Sequence, residues 1–492
     1  MKKTILFFTV VVLLSMASVY AQGGTTGPLT WEINNGTLTI SGEGEMPNYY
    51  SEAPPWYVYK DDIHTLAIKN GVTSISSFAF SFFSNLTSAS IASTVLNIEV
   101  YAFTECKSLP SIIIPNGLIN IVEGVFYKCT VLSYVFIPKS VTSIDVSAFS
   151  ACQNLTSFEV DSENNSYTSE DGILFNKDIT VLICYPAGKS GAYIITSSVK
   201  TIGNGAFAYC ANLTSVTIPN SVTSIGAVAF YSCSGLTSIT IPNSVTSIEI
   251  HTFFDCTSLT SVSIPNSVTN IGYTAFRNCK NLQLITNLNT VPVNIDASIF
   301  EGVNQSTCTL EVPSGSITVY EEANIWKEFN IVGGGFLVNP VPHNSEHGYT
   351  TGDGLYELNA TATVTATARA GYKFVNWTKD GEEISTDNPF KFTVTEDVEL
   401  VAHFIDYVGV DELRITNYEL RVYPNPTTGE LHVTSDALHV TKLEVFDIYG
   451  RKQSHVSRVT SNEINIAHLP AGVYFVKVYT EQGVVVEKVI KN

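Results

Sequence analysis

The sequence predicts a mainly β chain whose larger part is a solenoid of stacked parallel strands, followed by a small β module and a C-terminal β-sandwich. Phe recurs every 23 residues at Phe80, Phe103, Phe126 and Phe149 and again at Phe207, Phe230, Phe253 and Phe276, with Phe300 24 residues later. Cys keeps the same register, at Cys106, Cys129 and Cys152 and then at Cys210, Cys233, Cys256 and Cys279. Beyond residue 333 this period vanishes and apolar residues alternate with polar ones, the pattern of half-buried strands. A fixed period of this length marks a repeat architecture, in which one unit cannot bury its own apolar face and must stack on its neighbours.

At the N-terminus, Lys2 and Lys3 precede an apolar run from Ile5 to Leu14 and the small-residue ending Ser18-Val19-Tyr20-Ala21. This is the order of a secretory signal peptide, assigned to residues 1–21. The apolar run is too short to span a bilayer, which takes roughly 20 residues, and no later stretch reaches that length. An exported chain without a transmembrane helix is expected.

The solenoid is placed at 63–332. In one unit Leu213, Val216 and Ile218 face inward along a strand, and Pro219 ends it because it cannot donate to a ladder. Val222 and Ile225 turn inward on the returning side, and Gly226 suits a tight corner. Ala229 and Phe230 fill the far edge before Cys233 leads into the next strand. Stacked copies give one continuous interior of Leu, Val, Ile, Phe and Cys. Nine Cys in an exported chain would ordinarily suggest disulfides. Here the repeated Cys occupy equivalent positions, so their side chains point the same way rather than at one another, and buried thiols are expected. Cys184 and Cys308 fall outside the register and are the ones suspected of separate chemistry.

The stretch Ile218 to Cys233 matches I-P-x-S-V-T-x-I-G-x-x-A-F-x-x-C throughout, and the pattern recurs about nine times over residues 63–330. In this the chain resembles the BspA-like leucine-rich-repeat proteins of bacterial surfaces. The resemblance implies a leucine-rich-repeat solenoid and explains two departures. Residues 161–200, with Asp171-Gly172-Ile173-Leu174-Phe175 and Tyr185-Pro186-Ala187-Gly188, look like an insertion common in the family, which widens one unit to 58 residues. Residues 22–62, with Trp31, Gly42-Glu43-Gly44 and Ala53-Pro54-Pro55-Trp56-Tyr57, resemble its β-rich N-terminal cap. A cap is physically required, since an open solenoid end exposes strand edges and apolar core.

Between the inward residues of each strand, hydroxyl side chains face solvent: Thr214, Ser215 and Thr217, then Thr237, Ser238 and Thr240, then Thr260, Ser261 and Ser263. Such rows suit an extended ligand held by many modest hydrogen bonds, and they equally suit β-propensity and solubility. Earlier units interrupt the rows with Ile113, Tyr134 and Phe136, an exposed apolar strip and the stronger candidate hot spot. The expected partner is an extracellular protein or a glycan. With 26 Lys and Arg against 45 Asp and Glu, a net charge of −19, nucleic acid is excluded for want of cationic clusters.

Gly333-Gly334-Gly335 reads as a hinge or linker before a module at 333–406. Alternation in Ala362 to Ala368 and Val398 to Phe404 predicts a small antiparallel β unit, and Gly371-Tyr372-Lys373-Phe374-Val375-Asn376-Trp377 resembles the divergent B-repeats of bacterial surface proteins, which implies a spacer. At its start, His343-Asn344-Ser345-Glu346-His347 fits the H-x-x-E-H pattern of a metalloprotease family. That chemistry needs both His on one helical face, whereas Pro340, Pro342 and Gly348 place this stretch in turns. Neither a nucleophile elbow nor a phosphate-binding loop occurs elsewhere. The reading is therefore non-enzymatic, with no cofactor and no metal. A hydrolase with dispersed catalytic groups and a threonine-rich ice-binding surface are the alternatives.

After a linker at 407–418, residues 419–492 alternate again, with turn signals, as a small β-sandwich. Tyr423-Pro424-Asn425-Pro426 through Gly429, then Asp447 with Gly450 and Arg451, then Leu469-Pro470-Ala471-Gly472-Val473-Tyr474 and a basic end at Lys488 and Lys491 resemble the type A sorting domain of the type IX secretion system. The resemblance implies export by that machinery across the outer membrane of a Gram-negative cell. It also implies removal of the domain and either attachment to surface lipopolysaccharide or release.

Overall fold

The computed structural model describes residues 22–50, 52–407, 420–423, 425–428, 430–435, 440–447, 452–456, 463–480 and 483–492. The expected signal peptide at 1–21, all but the first residue of the expected linker and the sorting residues Pro424, Gly429 and Gly450 lie outside these.

Each repeat runs along three sides. On the first, strands stack in parallel and in register, with Tyr134–Ile137 lying between Ser111–Ile113 and Ser157–Val160. After the insertion, Gly191–Ile194, Leu213–Thr217, Ser238–Thr240, Ser261–Ile264, Leu284–Asn287, Thr309–Val312 and Asn330–Gly333 form one seven-stranded sheet. The strand around Val216 stops at Thr217, just short of Pro219. The second side carries two-residue strands, such as Thr201–Ile202 beside Ser224–Ile225. The third side consists of loops whose backbones bond from one repeat to the next, as in Phe207 N to Ala229 O and Phe230 N to Thr252 O, both 2.8 Å.

The periodic Phe residues form a buried aromatic spine. It begins where Trp56 stacks on Phe80 at 5.8 Å and continues through Phe103, Phe126 and Phe149 at 5.4 to 5.8 Å. It resumes at Tyr185 on Phe207 and runs to Phe300, where Trp326 closes it edge-on at 5.5 Å. Each such ring pair adds about 0.5–1.5 kcal/mol to what burial alone contributes.

The interior is not the single continuous core that periodicity suggests. One apolar cluster runs from Leu29 to Leu174 and a second from Ile173 to Phe329. The wall between them is the insertion. Its strands Tyr167–Glu170, Ile173–Asn176 and Val181–Cys184 pair antiparallel, and the last joins the short-strand side beside Thr201–Ile202. Successive side chains on a strand point to opposite faces. Leu174 therefore serves the first core while Ile173 and Phe175 serve the second, and Phe149 meets Phe158 edge-on instead of continuing the stack.

The N-terminal end is closed by the antiparallel strands Gln22–Thr26, Leu29–Asn34 and Thr37–Gly42, the last pairing parallel to Thr65–Ile68. At the other end the helix Ile317–Glu322 and the loop after it bring Tyr320, Trp326 and Phe329 over the last repeats, a lid that the 23-residue period does not foretell. The expected glycine hinge is also corrected. Gly334 N bonds Val312 O at 2.9 Å, Ser314 N bonds Gly335 O at 2.9 Å, and a Cβ on Gly334 would lie 2.4 Å from Glu311 and Leu355 side-chain carbons. These glycines permit close packing of the module onto the last repeat rather than slack.

The module departs from a purely antiparallel arrangement, because Phe336–Pro342 pairs parallel to Val398–Asp406. Trp377, Ala402 and Phe404 lie in its core. The C-terminal unit packs a three-stranded against a four-stranded antiparallel sheet around Leu431, Val445, Val476 and Val489.

Candidate functional site

The long-strand side presents the candidate surface. Thr214, Thr217, Thr237, Thr240 and Thr260 are all exposed. Two of these hydroxyls are already committed: Thr237 Oγ1 donates to Thr214 O at 3.1 Å and Thr260 Oγ1 to Thr237 O at 2.9 Å. A hydroxyl that stitches one repeat to the previous one has spent its proton and offers a ligand only lone pairs. Thr217 and Thr240 carry no such bond.

In the earlier repeats Ile113 is 78% exposed, and its register partner on the next strand is Phe136. Tyr134 stands two residues before Phe136 and donates its phenol to Glu159 on the far neighbouring strand. That bond, with burial adding to it, pushes the Tyr134 phenol up to about 12 and keeps it a neutral donor. The three residues share one face of neighbouring strands, but the strip is less open than expected: Ile113 and Tyr134 are exposed while Phe136 is half-buried.

All nine Cys are free thiols, and the seven in register are buried. Their Sγ atoms donate to carbonyls of the preceding repeat, for example Cys233 to Phe207 O at 2.9 Å and Cys256 to Phe230 O at 3.1 Å. Burial pushes the thiols of Cys106, Cys152, Cys210, Cys233, Cys256 and Cys279 well above their usual range. Cys184 and Cys308, outside the register, are free thiols as well, and burial pushes them up to about 12 and about 11.

His343 follows the strand Phe336–Pro342, and His347 precedes Gly348–Thr351, with His347 N bonded to Asn344 O in a turn. No helix carries the pair. Phe404 N donates to His343 Nδ1 at 3.1 Å, so one ring nitrogen is engaged by backbone. Among the described residues no group of three His, Cys, Asp or Glu is arranged to hold a metal ion.

In the C-terminal unit the two ends of the sorting motif meet. Asn425 donates to Lys488 O at 2.6 Å and accepts from Ile490 N at 2.9 Å, which ties the first motif segment to the terminal strand Gly483–Lys491. Tyr474 donates to Pro470 O at 2.7 Å, Leu469 is buried in the core, Gly472 pairs with Lys491, and Asp447 accepts from Gln453 at 2.9 Å. Pro426 and Lys488 are exposed. Sequence reasoning missed Glu444, which is buried and held by Lys442 at 2.7 Å, Lys452 at 2.6 Å and Tyr479 at 2.6 Å. Burial alone would raise its carboxyl, but these bonds outweigh it and hold the group at about 2.

Stacked parallel strands around a leucine-rich core, closed at both ends and followed by two β units, define a leucine-rich-repeat solenoid protein. The BspA type leucine rich repeat region matches in six copies over residues 56–172 and 188–320, just over half of the chain, and the chain belongs to that family. Residues 341–406 match the divergent InlB B-repeat domain and residues 421–492 a secretion system C-terminal sorting domain. No curated protein matches the chain. Among solved structures it is similar to a leucine-rich repeat protein from Eubacterium ventriosum, at 26% identity over 65% of this chain and 87% of that one, with a TM-score of 0.46. A leucine rich cell surface protein from Faecalibacterium prausnitzii shares 25% identity over 64% and 95%, with a TM-score of 0.40. The pneumococcal vaccine antigen PcpA shares 18% over 63% and 98%, with a TM-score of 0.49. The sorting domain marks a protein exported by type IX secretion, released or displayed on the cell surface. No helix among the described residues is long and apolar enough to cross a membrane.

Proposed function

We propose that this protein is a non-enzymatic adhesin that holds an extracellular protein or glycan against the long-strand side of its solenoid. The observation that carries the reading is the juxtaposition of Ile113, 78% exposed, with its register partner Phe136 and with Tyr134 two residues before it on the same strand. A central aromatic and aliphatic patch ringed by polar groups is the usual anatomy of a binding hot spot. Thr214, Thr217, Thr237, Thr240 and Thr260 extend the same surface along the later repeats. The B-repeat module serves as spacer. The sorting domain engages the secretion machinery through the motif around Asn425 and Lys488 and is removed on export, leaving the rest attached to lipopolysaccharide or free.

The test is binding of the exported chain to immobilised purified matrix proteins and glycans. Saturable binding should drop at least about tenfold when Tyr134 and Phe136 are both replaced by Ala, because hot-spot truncations cost about 2 kcal/mol or more. Unchanged binding by the double variant, with an unchanged melting profile, would remove the patch from the interface.

A further inference from the structure

The loop side of the solenoid changes character at the insertion. Elsewhere its backbone is bonded from repeat to repeat, as in Lys128 N to Ser150 O at 3.0 Å and Tyr209 N to Tyr231 O at 2.7 Å. Between the Phe149 and Phe207 repeats the described residues make no such bond. The insertion takes the partner's place, with Tyr185 N bonded to Ala206 O at 2.7 Å. The two loops therefore face each other across a seam.

That seam is a trough of about 200 Å³. Apart from its rings it is lined by small residues, Ser147, Ser150, Gly205 and Ala208, with Val146 and Val228. Other repeats place Tyr101 or His251 where Gly205 stands, and Phe254 or Arg277 where Ala208 stands. Its walls are rings. Tyr127 meets Tyr209 edge-on at 6.3 Å, Tyr209 lies 5.4 Å from Tyr231, and Tyr231 stacks on Phe254 at 4.9 Å. The phenols of Tyr127 and Tyr209 sit 3.5 Å apart, a weak bond that leaves both hydroxyls able to serve another partner. No Lys, Arg, Asp or Glu lines the trough, in a chain of net charge −19. With strands about 4.8 Å apart, two repeats make it roughly 10 Å long.

We propose that this seam is a subsite for a neutral polysaccharide, which lays one or two pyranose rings against Tyr209 and Tyr231. A pyranose has an apolar C–H face, which meets the negative face of an aromatic ring, and a hydroxyl rim, which the phenols can pair; Ser147 is already committed to Asp145 and to Gly124 N, and Ser150 to Val146 O. No charged side chain lines the trough, which leaves nothing in its lining to pair a sulfate or carboxylate, while Lys128 Nζ lies 5.2 Å from the Tyr127 ring and Arg277 5.8 Å from that of Phe254. The site lies on a different side from the strand patch and stands independently of it.

The experiment titrates the exported chain calorimetrically with short cello-oligosaccharides, short chito-oligosaccharides and, as the anionic probe, a heparin-derived oligosaccharide. One of the neutral series should bind saturably and more tightly than the anionic one. Tyr231→Ala should weaken it about tenfold, Tyr209→Asn should do the same with a residue that tolerates the left-handed backbone at that position (φ 63°), and Ala208→Trp should abolish it by filling the trough. The Tyr134→Ala, Phe136→Ala double variant should bind the sugar like the wild type, which separates this site from the strand patch. Thermal melting of each variant guards against misfolding. The proposal fails if neither neutral series binds, if the folded trough variants bind normally, if the heparin fragment binds more tightly, or if the trough variants lose a purified protein ligand while no sugar binds.

Discussion

Before the insertion the spine phenylalanines from Phe80 to Phe149 stack with their planes 15 to 30° apart; after it, from Phe207 to Phe300, the planes diverge by only 7 to 11°. The later units are near copies, so each adds the same small rotation and the rings remain parallel. The earlier units vary, and it is there that Ile113 and Tyr134 reach the surface with Phe136 half-buried between strands, while the strands from Leu213 to Ile264 carry Thr and Ser outward and Ile194 before them is exposed. Uniformity in the second half makes scaffold; irregularity in the first makes a recognisable patch. The partition built by Ile173–Asn176 lets the two halves differ, because neither must continue the other's packing.

The most severe test of this contrast is in denaturant. Phe230→Ala empties the middle of the second spine and should cost about 3–5 kcal/mol. With separate cores it should shift the melting of the second half alone, and Phe103→Ala that of the first. One transition moved equally by both variants would mean that the partition transmits cooperativity and that the halves are one unit.

The sorting domain offers a comparison with both halves, since it alone holds the buried Glu444 cluster. Its carboxyl is depressed to about 2 in the folded state. The stabilisation is therefore fully present above the unfolded value near 4.5 and disappears as pH falls from there towards 2. That difference corresponds to about 3 kcal/mol. Acid titration followed by circular dichroism should unfold the C-terminal unit before the solenoid, and Glu444→Gln should flatten its pH dependence.

A smaller effect is expected from Cys233→Ser, about 1–2 kcal/mol, as a more polar group enters an apolar site while keeping the bond to Phe207 O. Thiol labelling should meanwhile find the repeat cysteines of both halves unreactive until denaturant is added. The smallest effect should come from Val228→Gly. Val228 holds a left-handed backbone (φ 54°) where Gly124 and Gly205 stand in other repeats, so the change relieves a strained β-branched residue and should stabilise the second half by up to about 1 kcal/mol. A loss of stability would show that side-chain packing at that corner outweighs the backbone.

Much of this was legible in the residues because a repeat states its own register. Once Phe230 and Cys233 recur every 23 residues they must stack, and every inward Leu, Val and Ile follows from the alternation of a strand. The same regularity hid what is singular. The lid of Tyr320, Trp326 and Phe329 has no periodic partner, and Glu444 differs in sequence from no other strand carboxylate.

What the sequence determined by itself is the local chemistry of each unit: strand ends at Pro219, inward rows, buried thiols and the motif residues of the sorting domain. Only the tertiary structure decided which units meet. It split the core at the insertion, packed the Gly333 to Gly335 segment instead of leaving it slack, brought Asn425 to Lys488, and opened the seam between Tyr127 and Tyr231. Each of these depends on contacts between residues far apart in the chain, made by close packing, which no period or propensity encodes.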